Sequence, residues 1–259
     1  MTGVEVIPVD KIAGNTPTQI RGISLPQGFS CVEDADTAYS KWLLDLKLKK
    51  SNTVYLYNGA LKSNQHAQHS VLDIDIGKKD LVQCADAVMK LRGDFLFQKK
   101  QYDKIKFTAT SGDELSFQSW LKGTRWKEKG NKLLAYNISK ENINPLNEYN
   151  LFMQFVFSYC GTYSLSKQLK TVSKIDSIKA GDVFIQGGFP GHAITVMAVA
   201  KNHAGKKIFL LSQGYMPAQD IHMLKNYSNP ELSPWYDLSE IYPLYTPEWH
   251  FESGSLMRW

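Results

Sequence analysis

Residues 181–200 read GDVFIQGGFPGHAITVMAVA, and the fold that we expect is built outward from this stretch. A first apolar run, Val183 to Ile185, stops at a turn rich in Gly and Pro, and a second apolar run begins at His192. Two apolar runs joined by such a turn are typical of two paired β-strands. Because His192 is the first residue of the second strand, we expect its ring at the rim of a sheet, where a cleft can reach it.

The flanking sequence predicts a single α+β domain over residues 21–259, with a central, mainly antiparallel sheet and helices on one face. Apolar residues at helical spacing predict a helix over residues 80–97, with Asp80 as its N-cap. Residues 1–20 are polar and rich in turn formers, which favours a poorly ordered N-terminal arm. The central strands are expected at residues 183–186, 192–199 and 207–212.

The composition limits the classes of function. The chain has 259 residues, of which 43% are hydrophobic, so it can bury a sizeable core. Its net charge of +5 comes from scattered lysines, which argues against a nucleic-acid partner. No apolar run approaches the roughly 20 residues of a membrane-spanning helix. The three cysteines lack CxxC spacing and so indicate neither a zinc site nor a disulfide framework, and we expect no cofactor.

Four further segments stand out beside residues 181–200: VYLYNG (54–59), HSVLDIDIGKKDLVQCADAVMKLRGDFL (69–96), GTYSLSKQL (161–169) and FLLSQGYMPAQDIHMLKN (209–226). Together they resemble a family of bacterial proteins that is catalogued only as a domain of unknown function. Members of that family usually carry an export or lipoprotein signal, so the resemblance implies a periplasmic or other extracytoplasmic location. The first residues, MTGVEVIPVDKIAGN, show no signal peptide, which leaves a cytoplasmic location as the alternative.

A second resemblance covers residues 160–215. GDVFIQ and GHAITV, in that order, are similar to the paired strands of the papain-like cell-wall amidases and endopeptidases. In that family a cysteine at a helix start precedes the two strands, and a third polar residue follows on the next strand. The resemblance implies a papain-like core and a thiol hydrolase of amide bonds, with cell-wall peptide or glycan as the partner.

The residues that fit these roles in chain order are Cys160, His192 and Gln213. A helix start lowers the pKa of a thiol, an imidazole takes its proton, and a polar side chain orients the ring. Cys160 lies just before a predicted helix, and Gln213 ends the third strand. Cys84 is the second candidate, because it faces His192 if the 80–97 helix packs beneath the sheet. Its place about one turn past Asp80 favours core packing, and a buried cysteine is usually a small apolar side chain.

A metal site is an alternative. Asp73 and Asp75 alternate along a strand predicted at residues 71–76, and alternate strand residues point to one side. His69 precedes them, and His222 is a further candidate ligand. The competing interpretation is a solvated strand face that makes structural hydrogen bonds.

Aromatic residues indicate a substrate groove. Tyr215 and Trp235, together with Tyr236 and Trp249, could line a carbohydrate or peptidoglycan groove, or could pin irregular chain to the core. Arg125 lies in a loop with Gly123 and could bind a carboxylate or phosphate. The sequence therefore leaves three functions open: a thiol hydrolase, a non-catalytic envelope module on the same scaffold, and a metal or ligand site.

Overall fold

A computed structural model describes residues 17–32, 38–139 and 143–259. Residues 1–16 of the expected N-terminal arm lie outside the described residues. Residue Ile20, at the end of that expected arm, is buried in the core at 1% exposure. Ile20 therefore packs with the domain rather than with the expected arm.

Five α-helices and fifteen strands are assigned within the described ranges. The helices are α1 (Ala38–Leu44), α2 (Cys84–Gln98), α3 (Phe117–Leu121), α4 (Pro145–Tyr159) and α5 (Thr162–Gln168). The strands are β1 (Phe29–Cys31), β2 (Gln68–Val71), β3 (Lys106–Thr108), β4 (Glu114–Ser116), β5 (Thr124–Lys129), β6 (Lys132–Asn137), β7 (Lys170–Thr171), β8 (Val183–Gln186), β9 (His192–Asn202), β10 (Lys207–Gln213), β11 (His222–Leu224), β12 (Tyr236–Asp237), β13 (Leu244–Tyr245), β14 (His250–Phe251) and β15 (Leu256–Arg258).

Nine of these strands form one sheet in the order β2-β11-β10-β9-β8-β15-β7, with β1 also paired to β9 and β12 to β10. Every pairing in it is antiparallel. The predicted α+β class is confirmed. The hairpin predicted around residues 181–200 is β8 and β9, with Gln186 opposite His192.

The central strand β9 is buried on both of its faces, which explains its continuous apolar sequence. Ala193 and Met197 belong to the core that includes the helices. Ile194 and Val196 belong to a second core, which includes residues of the C-terminal strands β14 and β15. Helices thus pack on one face of the sheet, and the C-terminal segment covers the other. No helix within the described ranges has the length and apolar character that a membrane crossing needs.

The helix predicted over residues 80–97 is α2, but it begins at Cys84. Asp80 is not its N-cap, because its Oδ1 accepts from the Gln83 side chain (3.0 Å) and from the backbone amide of Ala218 (2.7 Å). Gln83 is the N-cap residue instead. Cys84 is therefore the first residue of the helix and does not lie in its second turn.

The strand predicted over residues 71–76 is also shorter than expected, since β2 ends at Val71. Leu72 still bonds through its amide to the carbonyl of Ile221 (2.9 Å), and Asp73 bonds to the carbonyl of Lys47 (2.9 Å). Beyond that point no strand is assigned. Asp73 and Asp75 therefore do not share the face of a strand.

Candidate active site

The start of α2, the start of β9 and the end of β10 meet at one place in the fold. Helix α2 packs against β9 and β10. At Gly214, directly after β10, an added Cβ would lie 2.8 Å from the carbonyl oxygen of Gln83 and 3.0 Å from the Cβ of Ala87. The missing side chain of this glycine allows the first turn of the helix to touch the end of the strand.

His192 is buried at this junction, with 1% of its surface exposed. Its Nε2 lies 3.0 Å from Oε1 of Gln213, which the sequence analysis grouped with it. The rings of Tyr215 and Trp249 contact it at centroid distances of 5.1 and 5.3 Å. Burial lowers the pKa of His192 to about 4, against the raising effects of Gln213 and Glu248. The imidazole is therefore neutral at pH 7 and can accept a proton.

Cys84 is the thiol that the structure brings to the His192 end of β9. Burial raises its pKa to about 11, while backbone amides of Ala85, Ala193 and Cys84 itself act in the opposite direction by hydrogen bonding. Cys84 and Gly191, the residue before His192, line one cavity, so the thiol lies near this end of β9. The first amides of a helix have no partner within it, so this position also offers donors for a negative charge.

Cys160 lies in a different local setting. It is the C-cap of α4, and its amide donates to the carbonyl of Val156 at 2.8 Å. The C-terminus of a helix carries partial negative charge, which does not favour a thiolate. Burial raises the pKa of its thiol. The geometry thus favours Cys84 over Cys160 as the partner of His192, because α2 begins four residues later than the sequence indicates.

A cavity of about 280 Å³ opens above this junction and is shared by both cysteines. Its wall includes Gly191, which precedes His192, and Trp249, whose ring contacts the histidine. Two exposed apolar side chains stand at its edge, Phe189 at 100% and Met216 at 54% exposure. The cavity can therefore receive a group that carries apolar surface.

Asp86 also lines this cavity and is almost fully buried. One carboxyl oxygen accepts from the amide of Gln83 at 3.1 Å, and the other has no partner within the described chain. Burial raises the pKa of this carboxyl well above its usual range. Asp86 thus helps to fix the start of α2 while tending to stay uncharged.

Behind His192 lies a polar network that the sequence did not predict. Nε2 of Gln213 donates to Oε2 of Glu248 at 2.7 Å and lies 3.2 Å from Nε2 of His222. Glu248 also pairs with Lys62 at 2.6 Å and accepts from Asn64 at 3.1 Å. Glu248 is 35 residues from Gln213, and no local pattern marks it. Its neighbour Trp249 was named from the sequence, but Glu248 itself was not.

The predicted metal ligands are not brought together. Asp73 and Asp75 are exposed, and Oδ1 of Asp75 accepts from the amide of Gly77 at 2.8 Å. His69 is half-buried beside Ser70. His222 is fully buried, with both ring nitrogens in hydrogen-bond contact with Gln213 and Asp220. Within the described ranges, no three His, Cys, Asp or Glu residues are grouped to hold a metal ion.

Of the predicted groove residues, Tyr215 and Trp249 lie at the candidate site, where both rings contact His192. Trp235 is buried at 2% exposure and donates to the carbonyl of Ser24, so it packs in the core. Arg125 stacks on Trp120 at 3.7 Å and pairs with Glu148 at 2.9 Å. It lines a separate cavity of about 430 Å³.

Comparison with known proteins gives a family without an assigned activity. No curated protein and no solved structure matches the chain. One protein family, described as a domain of unknown function (4846), matches residues 20–258, which is nearly the whole chain. The chain therefore belongs to the family of the domain of unknown function (4846).

Proposed function

We propose that the protein is a thiol hydrolase of amide bonds, with Cys84 as nucleophile, His192 as general base and Gln213 as the residue that orients the imidazole. One observation carries the proposal: the thiol opens a 15-residue helix and lines one cavity with Gly191 and Trp249, the neighbours of His192, whose ring is bonded to Gln213. A nucleophile, a base and an orienting group in this arrangement suit covalent acyl transfer.

The burial of both groups determines how the reaction would proceed. With the pKa of Cys84 near 11 and that of His192 near 4, thiol and imidazole are both neutral at pH 7. His192 would take the thiol proton as the sulfur attacks the carbonyl carbon. It would then pass that proton to the leaving amine as the C–N bond breaks, which leaves an acyl thioester on Cys84.

Water completes the cycle. His192 takes a proton from the water molecule as its oxygen attacks the thioester carbonyl, and returns a proton to the sulfur as the acid leaves. The amides at the start of α2 are placed to stabilise the negative oxygen in both steps. No further reactant is needed.

The substrate class follows from the cavity and from the sequence resemblance. The exposed side chains of Phe189 and Met216 favour an acyl group with apolar surface. The similarity of the GDVFIQ and GHAITV strands to papain-like cell-wall enzymes points to cell-wall peptide, and to a location outside the cytoplasm. A papain-like core and this location are part of the proposal.

A non-catalytic module on the same scaffold is the second candidate. It is favoured by the burial of Cys84, which keeps the thiol protonated at neutral pH. In that case the cavity binds cell-wall peptide or glycan without cleaving it.

The test compares the two cysteines in the intact protein. We expect iodoacetamide to alkylate Cys84 faster than Cys160, and the rate at Cys84 to fall by about tenfold or more in His192→Gln, because the base is lost. Peptide mapping by mass spectrometry measures both sites.

Release of new amino groups from cell-wall peptide should be lost in Cys84→Ala and retained in the matched variant Cys160→Ala. Turnover that survives in Cys84→Ala would contradict the proposal, and binding without turnover in the parent protein would favour the second candidate.

A further inference from the structure

The side-chain amide of Gln213 can be oriented from its neighbours alone. Its Nε2 lies 2.7 Å from a carboxylate oxygen of Glu248. A carboxylate only accepts hydrogen bonds, so the group facing it must be the NH₂ end of the amide. Glu248 is itself fixed, because Lys62 pairs with it at 2.6 Å and Asn64 donates to it at 3.1 Å. The carbonyl end of Gln213 therefore faces His192.

His222 imposes the same orientation from a second direction. Its Nδ1 lies 2.9 Å from the backbone carbonyl oxygen of Asp220, which only accepts. Nδ1 therefore carries the proton, and Nε2 keeps a lone pair. Nε2 of His222 lies 3.2 Å from Nε2 of Gln213 and accepts a hydrogen bond from its second N–H. The complete burial of His222 and the nearby charge of Lys62 lower its pKa to about 4, which keeps the ring neutral.

These contacts determine the tautomer of His192. Oε1 of Gln213 is the only end of the amide left for the histidine, and it accepts at 3.0 Å. Nε2 of His192 must therefore carry the ring proton, and Nδ1 must keep the lone pair. We propose that Glu248 and His222 are positioning residues that act through Gln213 to hold His192 as its Nε2–H tautomer, with Nδ1 free to accept the proton of Cys84. The catalytic consequence rests on the proposed function, whereas the tautomer does not.

The first measurement uses the intact wild-type protein labelled with ¹⁵N-histidine. The ring nitrogens of His192 are assigned by the signals that disappear in His192→Gln. At neutral pH we expect a protonated Nε2 and an unprotonated Nδ1. A His192 that carries its proton on Nδ1 overturns the inference without the use of any positioning variant.

The second measurement removes both acceptors while leaving no unpaired buried charge. In the triple variant Lys62→Met/Glu248→Met/His222→Leu the amide of Gln213 is free to turn, so we expect the Nδ1–H form of His192 to appear. The matched control, Lys62→Met/Glu248→Gln, keeps an oxygen acceptor and His222, and should stay in the Nε2–H form. If the tautomer of His192 is unchanged in the triple variant, the inference is overturned. Glu248 and His222 would then have a purely structural role, whose loss lowers stability without changing the tautomer.

Alkylation of Cys84 separates this inference from the proposed function. We expect its rate to be lower by about tenfold or more in the triple variant than in the control, because Nδ1–H cannot accept the thiol proton. If the tautomers are as expected but Cys84 is unreactive in every variant, the result would support the inference and contradict the proposed function. If alkylation of Cys84 depends on His192 but proceeds at equal rates in the triple variant and the control, the result would support the proposed function and contradict the inference.

Discussion

Gln213 links an imidazole to a carboxylate across a single amide group. Its Oε1 faces His192 at 3.0 Å, and its Nε2 faces Glu248 at 2.7 Å. A neutral amide satisfies both neighbours without placing a formal charge next to the ring. Burial lowers the pKa of His192 to about 4, although the bond to Gln213 and the charge of Glu248 act in the opposite direction.

In a Glu248→Gln background, which avoids two carboxylates facing each other, the substitution Gln213→Glu tests this balance. A carboxylate next to the ring favours the imidazolium, so we expect the pKa of His192 to rise from about 4 toward its ordinary value of about 6.5. Titration of the His192 ring protons by NMR measures it. The matched variant Gln213→Met has similar length and no charge, and it should keep the pKa low because the bond that raises it is gone. Equal titration of the two variants would show that burial alone sets the value.

At the scale of single residues, the sequence located part of the site. His192 and Gln213 were predictable because each lies at the end of a strand with a clear apolar pattern. Trp235 was left between two assignments, since aromatic residues suit a groove and a core equally well, and it packs in the core. Glu248 escaped prediction because its contact with Gln213 spans 35 residues and depends on how the C-terminal segment covers the sheet.

The start of α2 is the element that decides which cysteine faces the histidine. Its apolar stripe was visible in the sequence, but its first residue was not. Asp80 is a favoured N-cap residue, and local rules place the helix start there. In the structure the Asp80 side chain instead accepts a hydrogen bond from the amide of Ala218, which is 138 residues away. The chain then turns before the helix begins at Cys84. Tertiary contacts of this kind have no local pattern.

Gly214 offers a way to disturb that helix start from outside. In Gly214→Ala the new Cβ would press on the carbonyl of Gln83 at 2.8 Å, so the first turn of α2 must move. We expect the free energy of unfolding to fall by about 1–3 kcal/mol and the alkylation rate of Cys84 to change with it. Urea unfolding and mass spectrometry measure the two effects.

The control for this substitution is Gly161→Ser, on the wall of the same cavity. Nothing lies within 4 Å of a Cβ added at Gly161, and Ser is a favoured residue at this N-cap position of α5. Stability should change little. If Gly214→Ala is as stable and as reactive as Gly161→Ser, the close approach of α2 to the end of β10 does not hold the thiol in place.

The whole molecule is organised by a sheet that is covered on both faces. Its centre was predictable, because β8, β9 and β10 are apolar runs that follow one another in the chain. Its outer strands were not, since β2, β7 and β15 are short and pair with partners far away in sequence. The same double covering buries His192 and His222, so both histidines are held neutral in the folded state.

This burial predicts how the stability of the protein depends on pH. In the unfolded chain each histidine has a pKa of about 6.5, whereas burial lowers the pKa of His192 and His222 to about 4. Below pH 6.5 the unfolded chain therefore binds protons that the folded protein does not, and the free energy of unfolding should fall between about pH 6.5 and pH 4, by on the order of 3 kcal/mol for each histidine. Asp86 acts in the opposite direction, because its raised pKa favours the folded state as pH falls. Urea unfolding across this range measures the combined change in the free energy of unfolding. The variant His222→Gln isolates the contribution of one histidine, because its free energy of unfolding should depend less on pH. A variant that follows the wild-type curve would show that His222 titrates normally in the folded protein.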